Sequence, residues 1–235
     1  MGGIPREING SASGAGSPSL VRMNSDDGRD LVRRGYDKLS YHYRADDAAD
    51  GQYGPWLDDL HGRLPASSTV LDLGCGCGVP VARSLANAGH HVTGIDISDV
   101  QVERARRLVP TGTFLRADAT QVDLPSTSFD AVVCLYALIH LPLADQPRLI
   151  TNIASWLRPG GWLLTTVGSN AWTGTDDNWL DGPAAMWWSQ ADTATYRSWL
   201  RQAGLEISSE DFVPEGTSGH ALFWAQRPPT APDRP

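Results

Sequence analysis

The apolar positions of the chain follow two alternating spacings. A buried strand is expected to end at Leu73 and a second strand at Asp96, and further strands are expected at TGTFLRAD, FDAVVCLY and GGWLLTTVG. Between them, apolar residues recur every three to four positions, which predicts helices. Ser98 is expected to begin one of these with Gln101 completing a capping box. The other helices are expected at about 27–44, 51–63, after Gly78, at 144–157 and, capped by Asp192, over 192–203.

Strands and helices alternating at this spacing predict one fold class. We expect a doubly wound α/β domain with a seven-stranded, mostly parallel sheet and helices on both faces. Two closing strands, at about 205–213 and 219–226, follow in hairpin fashion, so the last strand is expected to be antiparallel. Residues 169–191 show no clear period and are predicted to be irregular. Such sheets bind ligands at the carboxyl ends of their strands.

Composition divides the chain into a central domain and two polar ends. Residues 1–25 are rich in Gly and Ser and are predicted to be disordered, as is the Pro-rich tail over 228–235. The domain is therefore expected over 26–227. Within it, 26–65 is interpreted as a helical cap and 169–191 as an aromatic-rich insertion on the acceptor side.

The net charge, the apolar runs and the cysteine count of the chain limit its expected binding partners and location. The chain of 235 residues carries a net charge of −8, which argues against nucleic acid and anionic membrane surfaces as partners. It has no apolar run of membrane-spanning length and no apolar stretch of a signal peptide near its start. Three cysteines make no disulfide framework, so a cytoplasmic location is expected, and oligomeric state stays open.

A glycine-rich turn with acidic neighbours is the strongest chemical feature. Residues 74–78 read GCGCG directly after a strand, so the backbone can turn tightly and approach a ligand. Asp72, Asp96 and Asp118 stand at the ends of the first three predicted strands. A carboxylate placed like Asp96 can accept both hydroxyls of a ribose. The dinucleotide pattern G-x-G-x-x-G is incomplete, since Val79 occupies its last position.

Five motifs together resemble the class I S-adenosylmethionine-dependent methyltransferases, which have a Rossmann-like fold. The resemblance covers about residues 30–227. It implies S-adenosylmethionine as the cofactor and S-adenosylhomocysteine as its product. The motifs are VLDLGCGCG at 70–78, GIDIS at 94–98, RADA at 116–119, FDAVVCLYALIHL at 129–141 and LRPGGWLL at 157–164.

The resemblance also implies roles for individual residues. Asp96 would bind the ribose diol, Asp118 the adenine amino group, and Asp72 the loop and the cofactor ammonium. A turn role for Asp118 and a purely structural role for Asp72 stay open. Further contacts are implied from Gly74, Cys75, Gly76 and Gly78 to the methionine part, from Ile97 and Ala119 to the adenine, from Leu135 and Tyr136 beside the donor methyl, and from Tyr43 to the carboxylate.

The residues after the fourth predicted strand argue against several classes of methyl acceptor. Cys134-Leu135-Tyr136-Ala137 lacks the Asn/Asp-Pro-Pro-aromatic tetrad that the resemblance associates with nucleic-acid and protein-amide acceptors. No acid lies between Asp130 and Asp145, so we expect no metal ion. A small organic molecule remains, and tailoring of a natural product is the expected setting.

Aromatic residues are the candidates for binding that acceptor. An aromatic box for a flat or cationic molecule is predicted, with simple core packing as the open alternative. The candidate residues are Tyr36, Trp172, Trp179, Trp187 and Trp188.

Two histidines are candidate bases, and one rival function stays open. His140 follows the fourth strand and His220 lies on the last one, although many methyl transfers need no base. A nicotinamide oxidoreductase is disfavoured by the loop spacing and because Lys38, the single lysine, completes no Tyr-x-x-x-Lys pair. A protein of the same fold that binds the cofactor for a rearrangement, or as a scaffold, is the open alternative.

Overall fold

A seven-stranded sheet forms the centre of the molecule. The computed structural model describes residues 25–230, so the predicted disordered ends lie outside the described residues apart from their innermost positions. The sheet has the order β3-β2-β1-β4-β5-β9-β8. Its strands are β1 (Thr69–Leu73), β2 (His91–Asp96), β3 (Thr113–Arg116), β4 (Phe129–Cys134), β5 (Leu157–Gly168), β8 (Glu206–Glu215) and β9 (Ser218–Gln226).

Helices cover both faces of this sheet, as predicted. α5 and α6 pack on one face through Ile150 and Tyr196, and α2, α3 and α4 pack on the other through Leu60 and Val102. β1 is buried on both faces, and Val70, Leu71 and Leu73 supply its apolar side chains. The helices are α1 (Ser25–Tyr43), α2 (Tyr53–Arg63), α3 (Val81–Asn87), α4 (Asp99–Leu108), α5 (Gln146–Trp156) and α6 (Thr193–Gln202).

The pairing of β9 confirms the antiparallel last strand. β9 runs antiparallel to β5, with Gly168 opposite His220 and Trp162 opposite Gln226. β8 then pairs with β9 through a tight turn. This register carries His220 to the carboxyl end of β5, the edge at which ligands bind in such sheets.

The prediction of an irregular segment over 169–191 is wrong. β6 (Trp172–Asp176) and β7 (Met186–Gln190) form an antiparallel two-stranded sheet. The pairing is hidden in the sequence because β6 contains Gly174 and Asp176, which strands disfavour, and because the connection over residues 177–185 is longer than a usual hairpin loop.

The N-terminal helix α1 packs on this hairpin and on the start of α4. The ring of Trp187 lies against Gly28, and Met186 lies against Gly35. Ser98 Oγ accepts the Gln101 N–H as predicted, and its hydroxyl donates to Asp37 of α1. The reciprocal bond of a capping box is not made, because the Ser98 N–H donates to Asp96 instead.

No helix within residues 25–230 is long and apolar enough to cross a membrane.

Candidate functional site

A cleft of about 790 Å³, its open mouth included, lies at the carboxyl edge of β1, β2, β3 and β4, beneath α1. The cleft brings together most of the residues implied by the resemblance. Asp72, Cys75 and Gly78 are not part of its lining. The predicted residues that do line it are Tyr36, Tyr43, Gly74, Gly76, Asp96, Ile97, Asp118, Ala119, Leu135, Tyr136 and His140.

The glycine turn is shaped by its contact with β2. The N–H groups of Gly74 and Cys75 both donate to the carbonyl of Ile95, at 2.8 and 3.1 Å. Gly74 has φ +73°, and a Cβ there would lie 2.4 Å from the Cβ of Ala137. Gly76 has φ +53°, and no atom lies within 4 Å of the place a Cβ would take. The loop backbone at Gly76 is therefore open to a ligand.

Asp96 is held at the end of β2 by two backbone donors. Its Oδ2 accepts the Gly76 N–H and its Oδ1 accepts the Ser98 N–H, both at 2.9 Å. Burial raises the pKa of its carboxyl to about 6, against the lowering effect of these hydrogen bonds. The carboxylate is thus fixed in orientation with its remaining lone pairs available.

Asp72 lies buried in β1 next to this carboxylate. Its Oδ2 has no hydrogen-bond partner among the described residues. Burial, and secondly the charge of Asp96, raise the pKa of the Asp72 carboxyl to about 8. A cation or a strong donor bound nearby would satisfy this oxygen, which fits an ammonium-bearing ligand.

Asp118, at the far end of the cleft, is already engaged by two neighbours. Its Oδ1 accepts the N–H and the hydroxyl of Thr120, each at 2.8 Å. Its Oδ2 lies 3.2 Å from Nε of Arg29, a cleft residue of α1 that also forms an ion pair with Asp145. Sequence reasoning missed Arg29 and Asp145, because the helical period of α1 does not specify which of its charged residues face this edge.

The geometry around His140 fixes its tautomer. Nδ1 lies 2.8 Å from the carbonyl oxygen of Trp187, which can only accept, so Nδ1 carries the proton. Nε2 then accepts the hydroxyl of Tyr36 at 3.1 Å. Burial lowers the pKa of His140 to about 4, so the ring is neutral at neutral pH.

His220 lies behind the wall of the cleft that Tyr136 forms. The two ring centroids are 5.0 Å apart, and His220 Nε2 lies 2.8 Å from Oε2 of Glu215. The hydroxyl of Tyr136 accepts a hydrogen bond from Gln52 at 2.7 Å. Glu215 and Gln52 were also missed. Glu215 and His220 lie on either side of the two-residue turn at 216–217, and this spacing could have indicated Glu215 from the sequence.

None of the four predicted tryptophans lines the cleft. Trp179 and Trp188 are buried behind it, Trp179 against Tyr36 and Tyr43, and Trp188 against His140. Trp187 packs beneath α1, and Trp172 is 45% exposed on β6. Trp179 and Trp188 therefore pack behind side chains that line the cleft. Direct contact of any of the four tryptophans with an acceptor stays a prediction.

Residues 70–161, which hold the glycine turn, Asp96, Asp118 and His140, match the family described as methyltransferase domain. The chain is 36% identical over 172 residues to 27-O-demethylrifamycin SV methyltransferase of Amycolatopsis mediterranei. That match covers 68% of this chain and 62% of the relative, so the chain spans less than two thirds of the curated relatives it matches.

Solved structures share the fold at lower sequence identity. The 1,6-didemethyltoxoflavin-N1-methyltransferase of Burkholderia thailandensis matches with a TM-score of 0.67 at 18% identity, over 88% of this chain and 91% of that one. The [4+2]-cyclase SpnF matches with a TM-score of 0.60 at 24% identity, over 79% and 85%. The chain belongs to the class I S-adenosylmethionine-dependent methyltransferase family.

Proposed function

We propose that the chain transfers the methyl group of S-adenosylmethionine to a small organic molecule, without a metal ion, in the biosynthesis of a natural product. The observation that carries this proposal is the pairing of an open glycine turn with the oriented carboxylate of Asp96 in one cleft. The setting is supported by the relative that methylates 27-O-demethylrifamycin SV, at 36% identity.

The residues of the cleft suit the cofactor of the family. Asp96 would accept the hydroxyls of a ribose, and the open backbone at Gly76 would lie along the methionine part. The unpartnered oxygen of Asp72 would gain from the positive charge of an ammonium group. The bound cofactor supplies an electrophilic methyl group on a sulfonium sulfur.

At the other end of the cleft, the chain's own residues would place the acceptor. Tyr36, Tyr43 and Tyr136 present aromatic faces, which suit both a flat acceptor and the sulfonium charge. α1 covers part of the cleft, and this would limit the access of water to the reacting groups. Holding the donor methyl group and the acceptor atom in line would supply a large part of the rate enhancement of such a displacement.

Product mass tests this proposal against its rival. The protein is incubated with S-adenosylmethionine and a panel of small phenols, alcohols, amines and thiols, and products are analysed by mass spectrometry. We expect a product heavier than its precursor by one methylene unit, together with S-adenosylhomocysteine. Tight cofactor binding with a product of unchanged mass would instead support a rearrangement, as in the open alternative.

A further inference from the structure

We infer that Arg29 of α1 helps to select the adenine of the cofactor, by donating its Nε–H to a ring nitrogen beside the amino group that Asp118 would accept. This inference rests on the proposed function and adds a specificity-determining residue to the same site. Arg29 lies outside residues 70–161, which match the methyltransferase domain family, and outside the five motifs that carry the resemblance. The inference is carried by the hydrogen bonds of Arg29, by the charges around it and by its place in the cleft.

Two carboxylates hold the terminal nitrogens of the Arg29 guanidinium. Nη1 donates to Asp26 Oδ1 at 3.1 Å, and Nη2 donates to Asp145 Oδ2. Nε lies 3.2 Å from Asp118 Oδ2, but it is buried and makes no hydrogen bond with a described residue. Its N–H therefore does not point at that oxygen, and the contact is an ion pair without a hydrogen bond. A buried donor of this kind costs free energy, which a ligand with an acceptor atom would recover.

Arg29 and Asp118 place a donor and an acceptor side by side in the lining of the cleft. Asp118 Oδ1 is filled by the N–H and the hydroxyl of Thr120, so Oδ2 is the oxygen that remains for a ligand. Adenine presents the complement of this pair, because its amino group donates and the ring nitrogens on either side of that group accept. A base with an oxygen in place of the amino group would set an acceptor against Asp118.

The strand order puts this pair where the base of the cofactor would lie. β3 ends beside β2, on the side away from β1 and the glycine turn. With the methionine part along Gly76 and the ribose on Asp96, the base would extend past Asp96 to the end of β3, where Asp118 stands. Arg29 reaches this end from α1. Binding of the base would therefore involve α1 as well as the sheet.

The charges around Arg29 favour a neutral ligand edge over an anion. Its side chain is 14% exposed, and three carboxylates lie within 3.2 Å of its guanidinium, those of Asp26, Asp118 and Asp145. One positive charge among three negative ones leaves the cluster negative, so a phosphate or carboxylate would be repelled. A neutral purine edge has no such cost and still satisfies the Nε–H.

Substitution by lysine separates the Nε donor from the positive charge. Arg29→Lys keeps a cation that can pair with Asp145 but has no N–H at the position of Nε. We would titrate S-adenosylhomocysteine and its 1-deaza and 7-deaza analogues, each with one ring nitrogen replaced by C–H, into both cofactor-free proteins. We expect the wild type to bind one analogue on the order of tenfold more weakly than the parent, because the buried donor loses its acceptor. Arg29→Lys should bind that analogue and the parent about equally.

A matched variant and the affinity ratios control for general damage. Arg34→Lys changes an exposed arginine of the same helix and should keep the ratios of the wild type. If Arg29 had only a structural role, Arg29→Lys would weaken all three ligands by one factor and leave their ratios as in the wild type. That result, or equal binding of all three ligands by the wild type, would overturn the inference while leaving the proposed function intact.

Proton–nitrogen spectra of the wild type follow the same donor without a substitution. We expect the Arg29 Nε–H proton resonance to move downfield on addition of S-adenosylhomocysteine and to stay near its unliganded position with the weaker analogue. A resonance that responds alike to all three ligands would overturn the inference. Absence of S-adenosylhomocysteine binding by the wild type would overturn the proposed function, and the inference with it.

Discussion

At the scale of single residues, the acids near the ends of β1 and β2 differ in how their carboxyl oxygens are hydrogen-bonded. Asp96 accepts two backbone N–H groups, whereas Asp72 is buried with one oxygen unpartnered. Burial raises both pKa values, to about 6 and about 8 respectively. The Asp72 carboxyl therefore binds a proton at neutral pH until a cation replaces it.

This difference predicts a pH dependence of cofactor binding. As pH rises from 6 to 8.5, more of Asp96 and then Asp72 ionises, so affinity for S-adenosylmethionine should rise by up to about tenfold per pH unit, with release of protons. Calorimetry in buffers of different ionisation enthalpy measures both effects. Asp72→Asn should remove the part of the dependence near pH 8. An affinity that is flat over this range in the wild type would contradict the account.

The same shift has an effect on folding with a definite sign. Because the folded-state pKa of Asp72 is raised, its contribution to stability is present below the unfolded value near 4 and is lost as pH rises through about 8. In the cofactor-free Asp72→Asn protein, the free energy of unfolding should not show this decrease as pH rises.

Among single residues, the sequence allowed some positions to be predicted and hid others. Asp96 and Gly74 follow from local rules, because a strand end and a tight turn fix their surroundings. Arg29 and Glu215 do not, because their partners Asp118 and His220 are set by how α1 and the β8–β9 hairpin pack. Local pattern specifies which residues stand at a strand end, and tertiary packing specifies what faces them.

At the scale of elements, α1 and the β6–β7 hairpin form one packed unit over the cleft. The periodicity of α1 predicted its length to within two residues, since an amphipathic helix is a local pattern. The hairpin could not be predicted, since β6 is poor in strand-forming residues and gains its stability by pairing with the buried strand β7. The contact between the two elements depends on Gly28, which lies against the ring of Trp187.

Two alanine variants test this contact. At Gly28, a Cβ would come 2.9 Å from the Trp187 ring, so Gly28→Ala should lower the free energy of unfolding by about 1–3 kcal/mol. At Gly62 of α2, no atom lies within 4 Å, so Gly62→Ala should raise it by about 0.5–1 kcal/mol through helix propensity. Urea denaturation measures both. An equal gain from both variants would show that α1 does not pack on the hairpin in solution.

At the scale of the whole molecule, the strand order brings the functional groups of distant segments to one edge. β1, β2 and β4 deliver the glycine turn, Asp96 and Tyr136, and the antiparallel β9 delivers His220 to the same edge. The order of alternating strands and helices made this sheet predictable, because right-handed crossovers leave few other arrangements. The chemical identity of the acceptor cannot be predicted from the strand order in the same way, because it depends on the loops and on α1.

The central claim is that this edge binds S-adenosylmethionine through Asp96. Its most direct test is calorimetric titration of S-adenosylhomocysteine, with NADH in parallel, into the wild type, Asp96→Ala and Asp123→Ala, which changes an exposed acid. We expect tight binding of S-adenosylhomocysteine to the wild type and to Asp123→Ala, and a loss of about 1.5–3 kcal/mol with Asp96→Ala. Binding of NADH instead, or unchanged affinity in Asp96→Ala, would contradict the account.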